Sequence, residues 1–118
     1  MNRYTIICDI DGVILKHPQG NWMELYNTYN PSILPNVREK FIEWNKKGYI
    51  IILISGRKES MRPVTEKQLE LVGINYDQLI LGATNAIRVL INDKKSDEEN
   101  TAIAFSIDRD KGLEDINI

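Results

Sequence analysis

Residues 49–54 form an uninterrupted apolar run, Tyr-Ile-Ile-Ile-Leu-Ile, and this run constrains the fold more than any other part of the chain. A strand that is apolar at successive positions is typical of a parallel sheet that is covered on both faces. A second buried strand is predicted at residues 4–8, and helical patterns follow each of the two runs. The alternation predicts an α/β fold, a three-layer sandwich with a mostly parallel central sheet.

Two helices are predicted from the spacing of apolar residues and from residues typical of helix ends. The first begins near Asn36, which with Glu39 resembles a capping box, and it ends at Gly48. The second begins at Pro63 and ends at Gly73. The i, i+4, i+7 spacing assigns to the buried face of the first helix Val37, Phe41 and Trp44. Further strands are predicted near residues 78–81, 87–91 and 101–105.

The length and composition indicate one domain and exclude several classes of protein. The 118 residues fit a single domain, 1–118, in which residues 13–34 form a flap with a short helix near 21–28. Residues 106–118 are expected to fray or to form one helical turn. The net charge of −2 does not favour a general nucleic-acid binder, and the single cysteine excludes a disulfide scaffold. With neither a membrane span nor a signal peptide in the sequence, a cytoplasmic location is expected.

Acidic and polar side chains follow the predicted strands. Asp9 and Asp11 come at the end of the first strand, Ser55 follows the second, and Asp93 follows the strand at 87–91. Ligands of open parallel sheets bind beyond the carboxyl ends of the strands, so these side chains are expected to converge. Carboxylates in this arrangement suit a hard cation such as Mg²⁺. An isolated Asp-x-Asp-Gly sequence is equally common as a polar turn, and that interpretation stays open at this point.

Three segments, taken together, resemble a known superfamily. Residues 7–13 resemble the first signature of the haloacid dehalogenase superfamily of phosphotransferases. Residues 50–57 resemble its second signature, and residues 89–93 resemble its fourth. The resemblance extends over residues 4–105. It implies a minimal member without a large cap domain, because neither place where caps are inserted has room for one.

The resemblance also implies a role for each matching residue. Asp9 is expected to be the nucleophile that forms an aspartyl-phosphate, and Asp11 the general acid and then the general base. Ser55 is expected to bind the transferring phosphoryl group, and the other residues predicted to bind phosphate are Gly56, Arg57 and Arg88. Arg57 also belongs to a cluster with Lys58 and Arg62, which is either a basic patch for a second anionic group of the substrate or a solvated loop at the helix entry. The residues expected to hold Mg²⁺ are Asp9, Asp11 through its main-chain carbonyl, Asp93 and, more weakly, Asn92.

The third signature of the superfamily, a lysine shortly before the fourth segment, is missing. Residues 81–88 contain no lysine, and Arg88 is the nearest cation. The other cations that the sequence offers in this role are Lys58, Lys94 and Lys95. The missing lysine keeps open a second hypothesis, a non-catalytic module that binds phosphate or metal.

The function predicted from the sequence is that of a Mg²⁺-dependent phosphomonoester hydrolase. A sugar phosphate is the first substrate hypothesis, because Asn92-Asp93-Lys94 resembles the strand end of short phosphatases from surface-sugar or capsule biosynthesis. A nucleotide or the end of a nucleic acid is the second, because Ser55-Gly56-Arg57 resembles polynucleotide 3′-phosphatase domains. Members without a cap either act on large substrates or close their sites by forming homo-oligomers, and the composition does not decide between these.

Several remaining residues have a structural and a functional interpretation. Cys8 is predicted to be a buried strand residue rather than a nucleophile. His17 is a flap residue for which a substrate contact is the minority interpretation. Asp97 is either a water-mediated metal partner or a solvated carboxylate. The aromatic residues predicted to pack the flap onto the domain are Trp22, Tyr26 and Tyr29.

Overall fold

Three parallel strands form the sheet in a computed structural model that describes residues 3–20 and 31–118. The strands are β1 (Thr5–Asp9), β2 (Ile50–Ile54) and β3 (Gln78–Ile80), with β2 in the centre. Helix α1 (Val37–Lys46) joins β1 to β2. A 3₁₀ turn (Glu59–Met61) and helix α2 (Arg62–Leu71) join β2 to β3. The predicted α/β class with a parallel sheet is confirmed.

The register of β1 on β2 builds the core. Ile6 pairs with Ile51 and Cys8 with Leu53, and all four side chains are buried on one face of the sheet. Both helices bury one face in this same core, and the buried residues include the three predicted on α1: Val37, Phe41 and Trp44. Burial alternates along β2, so the opposite face of this strand is only half-buried. The expectation that β2 is hidden at every position is therefore wrong for the described residues.

The helix ends show which terminal signals act. Asn36 precedes α1 with φ 62° and ψ 5°, and its side chain makes no capping hydrogen bond. The predicted capping box is therefore wrong, because an N-cap side chain reaches its amide from an extended backbone. Gly48 and Gly73 follow α1 and α2 with φ values of 74° and 75°, as the sequence predicted for helix ends.

No helix among residues 3–20 and 31–118 is long and apolar enough to cross a membrane.

Residues 87–91 and 101–105, predicted as strands, join no sheet in the described part of the chain. The chain reverses between them, where Asn92 Nδ2 donates to the carbonyl oxygen of Thr101 over 3.1 Å. Their apolar side chains are exposed, and Ile87 is 92% exposed. The prediction failed because β-branched composition records a local preference, whereas a strand also needs a neighbour to pair with.

Residues 106–118 pack against the rest of the domain. The Asp110 amide donates to the carbonyl oxygen of Gly12 over 2.9 Å, and the Leu113 amide donates to that of Pro35 over 3.1 Å. The Leu113 side chain is buried in the core. The expectation that this segment frays is wrong, because Leu113 is buried in the core. One turn is present within it, where the Ile116 amide donates to the carbonyl oxygen of Leu113 over 3.0 Å.

The flap is described only at its two ends. The Lys16 amide donates to the carbonyl oxygen of Ser32, and the Leu34 amide donates to that of Ile14, both over 2.9 Å. These bonds join the first and last residues of the predicted segment 13–34. The helix predicted near 21–28 and the aromatic residues Trp22, Tyr26 and Tyr29 lie outside the described residues.

We expect Gly112→Ala to destabilise the fold more than Gly82→Ala. Both glycines have positive φ values, 84° and 79°, so each substitution carries a left-handed backbone cost of about 1–2 kcal/mol. At Gly112 the new methyl group also collides with the backbone of Pro35, whereas at Gly82 nothing lies within 4 Å. The collision adds about 1–3 kcal/mol. Urea denaturation of both variants measures the difference, and equal losses would contradict the packing of residues 106–118.

Candidate active site

The loop that follows β1 is anchored by the buried residue Ile10, and Asp9 lies at its start. Ile10 is fully buried, and its carbonyl oxygen accepts the amides of Val13, Ile14 and Leu15. The Ile10 amide donates to Asp9 Oδ1 over 2.9 Å. This bond holds one oxygen of the Asp9 carboxylate, and the Asp9 side chain is 39% exposed.

Asp11 is held by Arg57 from the end of β2. Arg57 Nε and Nη2 donate to the two carboxylate oxygens of Asp11 over 2.9 and 2.8 Å. Its Nη1 donates to Thr65 over 3.0 Å and to Gln68 over 2.8 Å, both on α2. Four of the five N–H groups of the guanidinium are therefore used inside the protein.

The sequence-based role of Arg57 in phosphate binding is corrected by this geometry. Arg57 is only 2% exposed, and its charge is paired with Asp11. A two-point contact between guanidinium and carboxylate is directional as well as strong. Arg57 therefore sets the orientation of Asp11 and ties the loops after β1 and β2 to α2.

Ser55 and Gly56 shape the loop after β2. Ser55 is buried, and its Oγ accepts the amide of Arg57 over 3.0 Å. Gly56 is in close contact with Asn85, and a Cβ atom at position 56 would lie only 2.3 Å from the Asn85 amide oxygen. Both residues thus have an observed role in loop geometry, and their binding of phosphate stays a prediction.

Arg88 is the cation that the structure brings to Asp9. Its Nη2 lies 3.9 Å from Asp9 Oδ1, and both side chains are 39% exposed. Burial raises the pKa of the Asp9 carboxyl, and the nearby Asp11 charge adds to this rise. The Ile10 amide, Arg88 and His17 act against it and lower the same pKa. Arg88 therefore supplies positive charge beside the predicted nucleophile, where the sequence lacks the expected lysine.

Asp93 and Asn92 are not brought to Asp9 and Asp11, which corrects the predicted metal ligand set. The Asn92 amide nitrogen donates to Thr101, and the carbonyl oxygen of Asp93 accepts the Thr101 hydroxyl. No group of three His, Cys, Asp or Glu side chains in residues 3–20 and 31–118 could hold a metal ion. The physical reason is that residues 87–91 do not pair with β1, so the segment does not end beside Asp9.

The oxygens that remain at the loop suit a weakly held Mg²⁺. The donors are the Asp9 carboxylate, whose Oδ1 also accepts from Ile10, and the main-chain carbonyl oxygen of Asp11, because the Asp11 carboxylate is already paired with Arg57. Mg²⁺ is commonly bound by one or two carboxylates with waters and substrate phosphates. The donor chemistry fits this cation, and substrate phosphate would be part of its ligand set.

Sequence reasoning missed polar residues that support the site from distant positions. Thr65 and Gln68 on α2 accept from Arg57, and their polarity within a helical pattern gave no indication of this contact. The Asp110 carboxylate accepts the amide of His17 over 2.8 Å. The only sequence signal near Asp110 is the turn-like sequence that ends in Gly112.

Similar folds occur in several solved structures. The structure of the Pnkp1/Rnl/Hen1 complex matches with a TM-score of 0.60 and 28% identity, over 73% of this chain and 30% of that chain. The structure of the Pnkp1/Rnl/Hen1 RNA repair complex matches equally well, over 28% of its chain. A structural-genomics target from Vibrio cholerae matches with a TM-score of 0.55 over 73% of this chain and 78% of that one; at 17% identity it shows the fold alone. The fold and the acidic loop after β1 are those of the haloacid dehalogenase-like superfamily.

The family follows from the sequence itself. The model of the polynucleotide kinase PNKP phosphatase domain matches residues 3–104, and the chain belongs to this family. The family supports phosphoester hydrolysis in general terms. An uncharacterized protein of Methanocaldococcus jannaschii is 38% identical over 60 residues, which are 51% of this chain and 59% of that relative. The matched part thus spans less than two thirds of the relative's length.

We expect Arg57→Met to lower the free energy of unfolding by about 3–5 kcal/mol, because it leaves the buried Asp11 carboxylate unpaired. Adding Asp11→Asn should restore part of the loss by removing that charge. Lys67→Met is the matched control, because its ion pair with Glu70 is exposed and is worth about 0–1 kcal/mol. Urea denaturation tests the set, and a loss at Arg57 no larger than the control would contradict the buried pair.

The Cys8 thiol should be unreactive in the folded protein. Burial first, and the charge of Asp9 second, raise the pKa of this thiol to about 12, so it stays protonated near pH 8. Alkylating and disulfide reagents attack the thiolate. A colorimetric thiol assay should therefore find no fast-reacting cysteine in the native state and one in urea. Fast labelling without denaturant would contradict the buried position.

Proposed function

We propose that the chain is a Mg²⁺-dependent phosphomonoester hydrolase that works through an aspartyl-phosphate on Asp9. The observation that carries the proposal is the position of Arg88, whose Nη2 lies 3.9 Å from Asp9 Oδ1. In the same loop after β1, Arg57 holds Asp11 with two hydrogen bonds. A positive charge at this point favours an approaching phosphate and balances the charge that develops as it reacts. The family match supports the same reaction class.

In the first step Asp9 attacks the phosphorus atom. The second oxygen of the Asp9 carboxylate, Oδ2, forms the new P–O bond while the bond from phosphorus to the alcohol oxygen breaks. The departing oxygen keeps the electron pair of that bond and takes a proton from Asp11. Asp11 carries this proton from the attacking water of the previous turnover, and during this step its contact with Arg57 is a hydrogen bond to a neutral acid rather than an ion pair. The fixed orientation of Asp11 serves this transfer, because each carboxylate oxygen retains a lone pair after accepting from Arg57.

In the second step water releases the phosphate. Asp11 takes a proton from the attacking water, whose oxygen forms a bond to phosphorus as the bond to Asp9 breaks. Bound Mg²⁺ would supply charge neutralisation and would orient the phosphate. The residues that would hold it are Asp9 and the main-chain carbonyl of Asp11. Asp93 and Asn92 join them only if residues 87–105 move against β1.

The terminal phosphate of a nucleic acid is the substrate that we favour. The sequence alone ranked a sugar phosphate first and a nucleotide or nucleic-acid end second. The match to a polynucleotide kinase phosphatase domain and the similarity to a chain of an RNA repair complex support the reverse order. The site is also open among the described residues, with Asp9 and Arg88 both partly exposed, which suits the end of a large substrate.

The second candidate is a module that binds phosphate without turnover. It is favoured by the position of Asp93, which does not join Asp9 and Asp11 in the loop after β1. The described residues therefore contain no group of three carboxylates that could hold a metal ion. Both candidates predict phosphate binding near Arg88. Only the hydrolase predicts release of inorganic phosphate, so turnover separates them.

The test is phosphate release from oligonucleotides phosphorylated at the 3′ or the 5′ end and from sugar phosphates, with Mg²⁺ and with a chelator. We expect hydrolysis at one nucleic-acid end that requires Mg²⁺ and falls by several orders of magnitude in Asp9→Asn. Asp115→Asn, which changes an exposed carboxylate in the same way, should keep wild-type activity.

The outcomes distinguish the parts of the proposal. Activity that survives Asp9→Asn would show that the nucleophile is assigned wrongly. Faster hydrolysis of sugar phosphates would reject the nucleic-acid substrate and keep the reaction class. Phosphate binding with no turnover on any ester would favour the binding module.

A further inference from the structure

Arg109 lies beside Gly12 in the loop after β1, although the two residues are far apart in the sequence. Its Cγ lies 3.3 Å, and its Nε 3.9 Å, from the point where a Cβ on Gly12 would stand. Gly12 has φ 91° and no side chain, and both properties let the arginine pass directly over the loop. The His17 ring borders the same point, with Cδ2 3.8 Å from it.

The backbone around Arg109 is fixed on both sides. Asp110 bonds to the loop twice, through its amide to Gly12 and through its carboxylate to the amide of His17. Leu113 is buried and bonds to Pro35. An exposed arginine on such an anchored segment loses less freedom on binding than one on a loose tail, because its backbone is already ordered.

The charge of Arg109 is available to a ligand. Arg109 is exposed and forms no ion pair with any residue of the described ranges. Arg88 Nη2 lies 3.9 Å from Asp9 Oδ1, whereas no nitrogen of Arg109 lies within 4.0 Å of an Asp9 carboxylate oxygen. Arg109 is therefore beside the loop but farther from the reacting carboxylate than Arg88 is.

We propose that Arg109, at the Gly12 edge of the loop, binds a second phosphate of the substrate, the phosphodiester next to the terminal phosphate. This assignment rests on the proposed function and names its substrate class more closely, as a nucleic-acid end rather than a mononucleotide. Arg88 faces the phosphate that reacts, and Arg109 faces the one that follows it along the chain. A guanidinium suits this position because its paired N–H groups match the oxygens of a phosphate.

The test compares two thymidine dinucleotides, each prepared with a 3′-terminal and with a 5′-terminal phosphate. One has the natural charged linkage, and the other has a neutral methylphosphonate linkage of nearly the same shape. In the wild type we expect kcat/KM to be roughly tenfold higher for the charged dinucleotide. In Arg109→Ala this ratio should fall to about one, and in Arg109→Lys it should be intermediate.

Lys111→Ala is the matched control, because it removes the same charge from an exposed position on the same segment. It should keep the wild-type ratio. A ratio that stays near tenfold in Arg109→Ala, or that falls equally in Lys111→Ala, would overturn the assignment to Arg109. A ratio of one in the wild type would also overturn it.

Failure of the proposed function gives a different result. If the wild type hydrolyses neither dinucleotide, fluorescence polarisation with labelled forms of both measures binding without chemistry. Roughly tenfold tighter binding of the charged form, lost in Arg109→Ala, supports the second phosphate site and rejects only the hydrolase. Equal binding of the two forms rejects the site. The salt dependence of binding should also be shallower in Arg109→Ala, by about one phosphate contact.

Discussion

The buried ion pair between Arg57 and Asp11 is the interaction on which the candidate site depends. It joins the loop after β1 to the loop after β2, and through Thr65 and Gln68 it joins both to α2. A buried charge pair in which four of the five guanidinium N–H groups are bonded has few alternative arrangements, because moving either partner leaves a charge without compensation. The position of Asp11 relative to Asp9 therefore follows from the packing of α2 on the sheet.

The sheet and its loops were predicted where the signal is local. Continuous apolar residues gave β2, a strand ending in Asp-x-Asp-Gly gave the acidic loop, and glycines gave both helix ends. Each of these depends on residues that are neighbours along the chain. The class of fold and the end of β1 at Asp9 therefore followed from the sequence, and the family match agrees with the class of fold.

The errors concern contacts between distant segments. Arg57 was assigned to phosphate because it follows Ser55, but its partner Asp11 lies 46 positions earlier. The residues 87–91 and 101–105 have strand-like composition without the pairing that makes a strand. Arg109 gave no local signal at all, because its importance arises only when Asp110 bonds to the loop. Composition and spacing report conformational preference, and they do not report which segment of the chain becomes a neighbour.

The attachment of Asp110 to the loop after β1 also has a consequence for the order of events during synthesis. The strands and helices up to β3 leave the ribosome before residue 110, since synthesis proceeds from the N-terminus at about 5–20 residues per second. The bond from His17 to Asp110 spans 93 positions, so it cannot form until residue 110 has emerged. During translation the contacts of Asp110 with Gly12 and His17 are therefore among the last to become possible, and residues 12–17 of the loop after β1 cannot reach their final arrangement before nearly all of the described residues have been made.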